Sequence, residues 1–100
     1  MNKAELKRRV CRQIDLHHEE LVRLGRELYA MPETGFREFQ TSAYVARFLH
    51  DLEIPVETDI AITGVKGLIP GRDHTHCVGI MGELDALKMP GHPHASPATG

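Results

Sequence analysis

Hydrophobic positions recur at helical spacing through the first fifty residues and change period after Pro55. Leu6, Val10, Ile14, Leu21, Leu24 and Leu28 fall close to a 3.6-residue repeat, which predicts an amphipathic helix starting near Asn2. Asn2 suits an N-cap, and Glu5 three residues on completes a capping box. The stripe thins at His17 and His18, where the helix has room for a break, and Pro32 disfavours the α region at Met31 and closes the segment. A second helix fits residues 38–52, with Phe39, Ala43, Ala46 and Leu49 on one face and Tyr44 and Phe48 widening it. Val56, Thr58, Ile60 and Ile62 then alternate with more polar residues, as in a half-buried strand. Residues 63–69 read as a turn feeding a second strand, and Pro70-Gly71-Arg72-Asp73 as another turn. Cys77-Val78-Gly79-Ile80-Met81 is an apolar run that fits a central buried strand. The expected fold class is α/β: two N-terminal helices, then the first strands of a layered sandwich within one domain.

Composition supports the switch from helix to strand and turn. Five of six prolines and seven of nine glycines lie in the second half. The first half carries nine Lys/Arg against seven Asp/Glu, and the second three against seven. The net charge of -2 offers no field to gather a nucleic-acid backbone, so no nucleic-acid partner is expected. No apolar run approaches the roughly 20 residues of a membrane helix, and no apolar stretch follows the charged start as a secretory signal would require. Cys11 and Cys77 are too few for a disulfide framework and fit a reducing cytoplasm. One hundred residues are few for a metal centre, a substrate pocket and a lid together.

The densest candidate chemistry is Gly82-Glu83-Leu84-Asp85-Ala86-Leu87, directly after the apolar run. In α/β sheets functional groups gather at the carboxyl ends of strands. Glu83 and Asp85 there would suit metal support or general-base work; the plainer alternative is a turn cap and a solvated acid. His74, His76 and Cys77 could offer nitrogen and sulfur to a single metal, but on a strand the two histidines share a face and Cys77 points away. His17 and His18 read as a helix-surface pair, His50 as a cation near a helix C-terminus, and His92 and His94 as loop residues. No P-loop, GxGxxG, nucleophile elbow, HExxH or CxxC occurs.

Four motifs in order resemble those of zinc- or manganese-dependent amidohydrolases, the aminoacylase, hippurate hydrolase and auxin-conjugate hydrolase relatives among the metallopeptidases. Pro32-Glu33-Thr34-Gly35-Phe36 with Glu38 and Thr41-Ser42 is similar to the family's PE-x-G-F-x-E-x-x-T-S/A. Residues 49–56 are similar to L-x-x-x-G-I/F-x-V, with Glu53 where Gly is common, and Thr63-Gly64-Val65 matches TGV. Residues 82–87 match the D-x-DAL strand end in a form closer to the p-aminobenzoyl-glutamate hydrolase branch.

The resemblance implies hydrolysis of the amide bond of N-acyl or N-aroyl amino acids, or of dipeptide-like substrates, with two divalent metal ions (Zn or Mn) as cofactors. It places Glu83 and Asp85 at the family's supporting acids and Met81 where a metal-ligating His is common. The family's H-x-CGH motif is missing from residues 1–100, which therefore read as the N-terminal part of a single catalytic domain, inactive alone and holding no metal. The competing expectation is a small non-catalytic interaction protein that forms a homodimer through the Leu6/Val10/Ile14/Leu21 stripe.

Overall fold

A computed structural model describes residues 1–96 as three helices and a two-stranded antiparallel sheet, a mixed α and β chain. The residues divide into two compact units, Met1–Ala30 and Met31–Gly100.

The first unit is a pair of consecutive helices, α1 (Lys3–Leu16) and α2 (His18–Tyr29). Asn2 caps α1 as the sequence predicts, its Oδ1 accepting the Glu5 N–H at 2.9 Å. The expected thinning at His17 is a true break. His17 leaves helical geometry (φ -100, ψ 14), serves as C-cap of α1 and N-cap of α2, and sets its Nδ1 3.1 Å from Glu20 Oε2. Neither helix buries a residue; Leu24 and Leu28 are half-buried, while Leu6, Val10 and Ile14 are exposed.

The second unit is built on α3 (Phe39–Asp51) and the hairpin of β1 (Val56–Ile60) and β2 (Gly64–Gly67). The helix falls within one residue of its predicted ends, but the face it packs is rotated. Thr41 and Ser42 are buried and Val45, Ala46, Phe48 and Leu49 half-buried, whereas Phe39 and Ala43, expected inside, are exposed. Two polar groups near the N-terminus of α3 draw that end inward, and the apolar stripe follows only in the later turns.

α3 closes in a Schellman arrangement: Ile54 N–H reaches Leu49 O at 3.1 Å and Glu53 N–H reaches His50 O at 2.9 Å. This geometry needs a left-handed residue, and Glu53 supplies it at φ 61. That is the physical reason a glycine suits this position. The Schellman end sits close to β2, because a Cβ on Gly67 would come within 3.2 Å of Ile54 Cγ2 and 3.3 Å of Leu49 Cδ1.

The hairpin pairs Val56 with Gly67, Glu57 with Lys66 and Ile60 with Gly64. One extra residue on β1 makes a bulge between Glu57 and Ile60, with Asp59 at φ 58. The turn is tight enough that Ala61 and the β-branched Ile62 take φ 47 and 86. β1 keeps only Val56 half-buried, so the predicted alternation does not produce an inner face.

Two expectations are overturned. Residues 77–81 are no central buried strand: they lie outside any strand, and Val78, Ile80 and Met81 are 87%, 98% and 95% exposed. A strand exists only as part of a ladder, and β2 takes β1 as its partner. Nor does the chain assemble an apolar core, since no hydrophobic residue among the described ones is buried. The buried residues are Glu38, Thr41, Ser42 and Thr63.

Replacing Glu53 by Gly removes a left-handed non-glycine residue that costs roughly 1–2 kcal/mol and adds back a smaller backbone-entropy cost. The expected result is a urea midpoint raised by the equivalent of about 0.5–1 kcal/mol in circular dichroism. An unchanged or lowered midpoint contradicts the C-cap assignment.

Candidate functional site

The buried polar residues take part in two sets of hydrogen bonds near the N-terminus of α3, one around Glu33 and one around Glu38. A helix begins with backbone N–H groups that have no partner inside it. The Glu33 carboxylate takes two of them, with Thr41 N–H on Oε1 at 2.6 Å and Gln40 N–H on Oε2 at 3.1 Å. Negative charge there also meets the positive end of the helix dipole. Glu38, the N-cap residue, aims its side chain elsewhere: Oε2 accepts the Thr63 hydroxyl at 2.6 Å, and Oε1 accepts Arg37 N–H at 3.2 Å. Glu38 and Thr63 are 7% and 5% exposed, so this bond is sheltered from water. Its length is that of a charge-assisted O–H···O contact. No buried side-chain polar atom among the described residues lacks a partner.

Burial pushes the Glu33 carboxyl up, but the hydrogen bonds from the Thr41 backbone, the Thr41 side chain and the Gln40 backbone together outweigh it and hold the group below the ordinary glutamate value. Its backbone carbonyl is occupied as well, accepting Ala86 N–H at 2.7 Å.

These bonds bring the motif segments to one place: residues 33–42, the hairpin turn at Thr63, and the 82–87 stretch. Between them lies an open cleft of about 830 Å³ whose walls include Phe36, Glu38, Thr63, Met81, Glu83 and Asp85. Phe36 enters its wall in the left-handed conformation, φ 61. The two acids singled out in the sequence, Glu83 and Asp85, thus line one cleft, and both are exposed. Exposed carboxylates there can accept hydrogen bonds or a proton from a molecule in the cleft.

The other sequence candidates stand apart from it. Asp73, His74, His76 and Cys77 border a second open hollow of about 630 Å³. Asp73 Oδ1 there accepts the Thr75 N–H and hydroxyl at 2.9 and 2.8 Å, which lowers the Asp73 carboxyl below its ordinary value. The His92 and His94 rings lie tilted at 48° with centroids 5.7 Å apart, and His92 Nδ1 accepts His94 N–H at 3.1 Å. His50 Nδ1 lies 3.8 Å from Asp51 Oδ1 in solvent, a contact of little energetic weight. Among the described residues no three His, Cys, Asp or Glu side chains converge as metal ligands would. Glu83 and Asp85 by themselves do not make up a ligand set for a metal ion. No helix among the described residues is long and apolar enough to cross a membrane.

The sequence pattern assigns no role to Glu33 or Glu38, although both lie inside the first family-like motif. The available signal was positional: an acid five residues before a predicted helix, and another at its first residue, lie within reach of free N–H groups.

The chain is similar to several hydrolases. A Bacillus subtilis protein, YhaA, described provisionally as an amidohydrolase, is 29% identical over the whole chain and 26% of its own length. An N-acetyldiaminopimelate deacetylase of Listeria monocytogenes is 32% identical over 76% of the chain and 24% of its own length. An IAA-amino acid hydrolase (ILR1-like 4) of Arabidopsis thaliana is 32% identical over 69% of the chain and 16% of its own length. The chain fits the amidohydrolase family. It spans about a quarter or less of these relatives. No family model matches, and no solved structure gives a significant match.

Because the Glu33 carboxyl lies below its ordinary value in the folded chain, its contribution is complete above the unfolded glutamate range and is lost as pH falls through the lowered folded value. In Glu33→Gln, urea midpoints should drop at pH 7 by the equivalent of roughly 1 kcal/mol and converge with wild type in strong acid. A gap independent of pH contradicts the carboxylate role.

Proposed function

We propose that the chain forms part of the catalytic domain of a metal-dependent amidohydrolase that cleaves the amide bond of N-acyl or N-aroyl amino acids or dipeptide-like substrates. Glu83 and Asp85 serve as supporting acids on the wall of the cleft. The observation that carries the reading is the meeting of the segments at 33–42, Thr63 and 82–87 around that cleft through the Glu38–Thr63 and Glu33–Ala86 hydrogen bonds. These are three of the four segments whose motifs resemble the family. The names of the Listeria and Arabidopsis relatives support a substrate with an acylated amino-acid nitrogen. The divalent ion, Zn or Mn, supplies Lewis-acid chemistry to the family's reaction. The described residues bring no ligand set together for it, so we hold the 100-residue chain to be inactive alone. Two exposed, unpaired cysteines support a cytoplasmic setting.

A second reading, a non-catalytic homodimer through α1, is favoured by the stripe of Leu6, Val10 and Ile14, which are 55%, 51% and 52% exposed.

Purified chain incubated with hippurate or p-aminobenzoyl-glutamate and Zn or Mn should give no product above the protein-free blank. Turnover that Glu83→Gln and Asp85→Asn abolish contradicts the inactive-chain part of the reading and supports the acids. A dimer that dissociates on replacing Leu6 and Val10 with Asp favours the second reading.

A further inference from the structure

Glu33 is engaged at both ends. Its side chain grips the first turn of α3 through Gln40 and Thr41, and Thr41 is among the most buried residues. Its main-chain carbonyl receives the Ala86 N–H at 2.7 Å. The acid-bearing stretch is held at Ala86. It belongs to no strand, and Val78, Ile80 and Met81, which would anchor it by burial, stand in solvent. The hydrogen bonds at Asp73–Thr75, Met89–His92 and His92–Ala95 are local, whereas the one from Ala86 reaches back to Glu33, in the segment that precedes α3.

Successive residues of an extended chain point to opposite sides. Here Leu84 and Ala86 are half-buried while Glu83 and Asp85 are exposed, and Glu83, Leu84 and Asp85 all border the cleft. Pinning Ala86 therefore holds the stretch that carries both acids at the cleft wall.

We propose that Glu33 is the positioning residue of Asp85: held on α3 by its side chain, it presents a fixed carbonyl to Ala86 and so orients the acid-bearing stretch along the cleft. This rests on the amidohydrolase reading for the role of the acids, but the latch itself is read without turnover. Glu33→Ala removes the anchor on α3 and leaves the carbonyl unsupported. Glu33→Gln keeps a side-chain oxygen that can accept Thr41 N–H.

The test is amide hydrogen exchange and 15N relaxation on the full 100-residue chain. Wild-type Ala86 should be protected, and Glu33→Ala should speed its exchange roughly tenfold and lower the Asp85 order parameter. The β1 and β2 amides should stay unchanged, and Glu33→Gln should restore most of the protection. A general loss of stability would move every amide together. If Glu33→Ala melts all amides alike, Glu33→Gln decides: a loss at 83–87 larger than the even loss its lower stability brings supports the latch, and an even loss alone overturns it. Unprotected Ala86 in wild type, or unchanged exchange in Glu33→Ala, also overturns it. A latch that holds while no amidohydrolase activity is found would fault only the functional reading.

Discussion

The second unit depends on a carboxylate shut away from water. Glu38 sits at the N-cap of α3, yet its Oε2 reaches into the hairpin turn to meet the Thr63 hydroxyl. Taking a carboxylate out of water is expensive unless both oxygens find donors, and here Thr63 and the Arg37 N–H supply them. A hydrogen bond to a charged group contributes about 1.5–3 kcal/mol net, and leaving such a group unpartnered costs at least as much. No hydrophobic residue among those described is buried, so this sheltered pairing carries much of the tie between α3 and the hairpin turn.

The tie explains the strained residues around it. A β-branched residue at positive φ is a true outlier, worth about 1–3 kcal/mol of strain, and persists only where its surroundings over-determine it. Ile62 at φ 86 directly precedes Thr63, so the hydrogen bond to Glu38 fixes the chain at the point where strain would otherwise relax. Ala61 at φ 47 and Phe36 at φ 61 belong to the same cleft wall. Glu53 is a different case: its left-handed turn closes α3 and touches no part of the cleft wall.

Local signals were the legible ones. The Asn2 cap, the break at His17, the ends of α3 and the hairpin after Pro55 follow from capping chemistry, periodicity and turn residues, all set by neighbours in the chain. What could not be read depends on distant partners. The 77–81 run has the composition of a buried strand, but an apolar run does not encode whether a ladder stands beside it. The inner face of α3 was misplaced because Glu33 and Glu38, not apolar side chains, decide which side of its first turn is buried. The site was half legible: Glu83 and Asp85 do border one cleft, and the motifs carrying Glu33, Glu38 and Thr63 meet there. The carboxylates that organise the cleft were visible as letters of a motif but carried no assigned chemistry, because their partners lie up to 25 residues away in sequence.

The coupling between Glu38 and Thr63 is the quantity to measure. A double-mutant cycle of Glu38→Ala and Thr63→Val, read by urea unfolding of the second unit, should return an interaction energy above about 1 kcal/mol. Protection of the β1 and β2 amides should fall in each single mutant. Additive effects, with a coupling indistinguishable from zero, would contradict the assignment of this buried pair as the tie on which α3, the hairpin turn and the cleft depend.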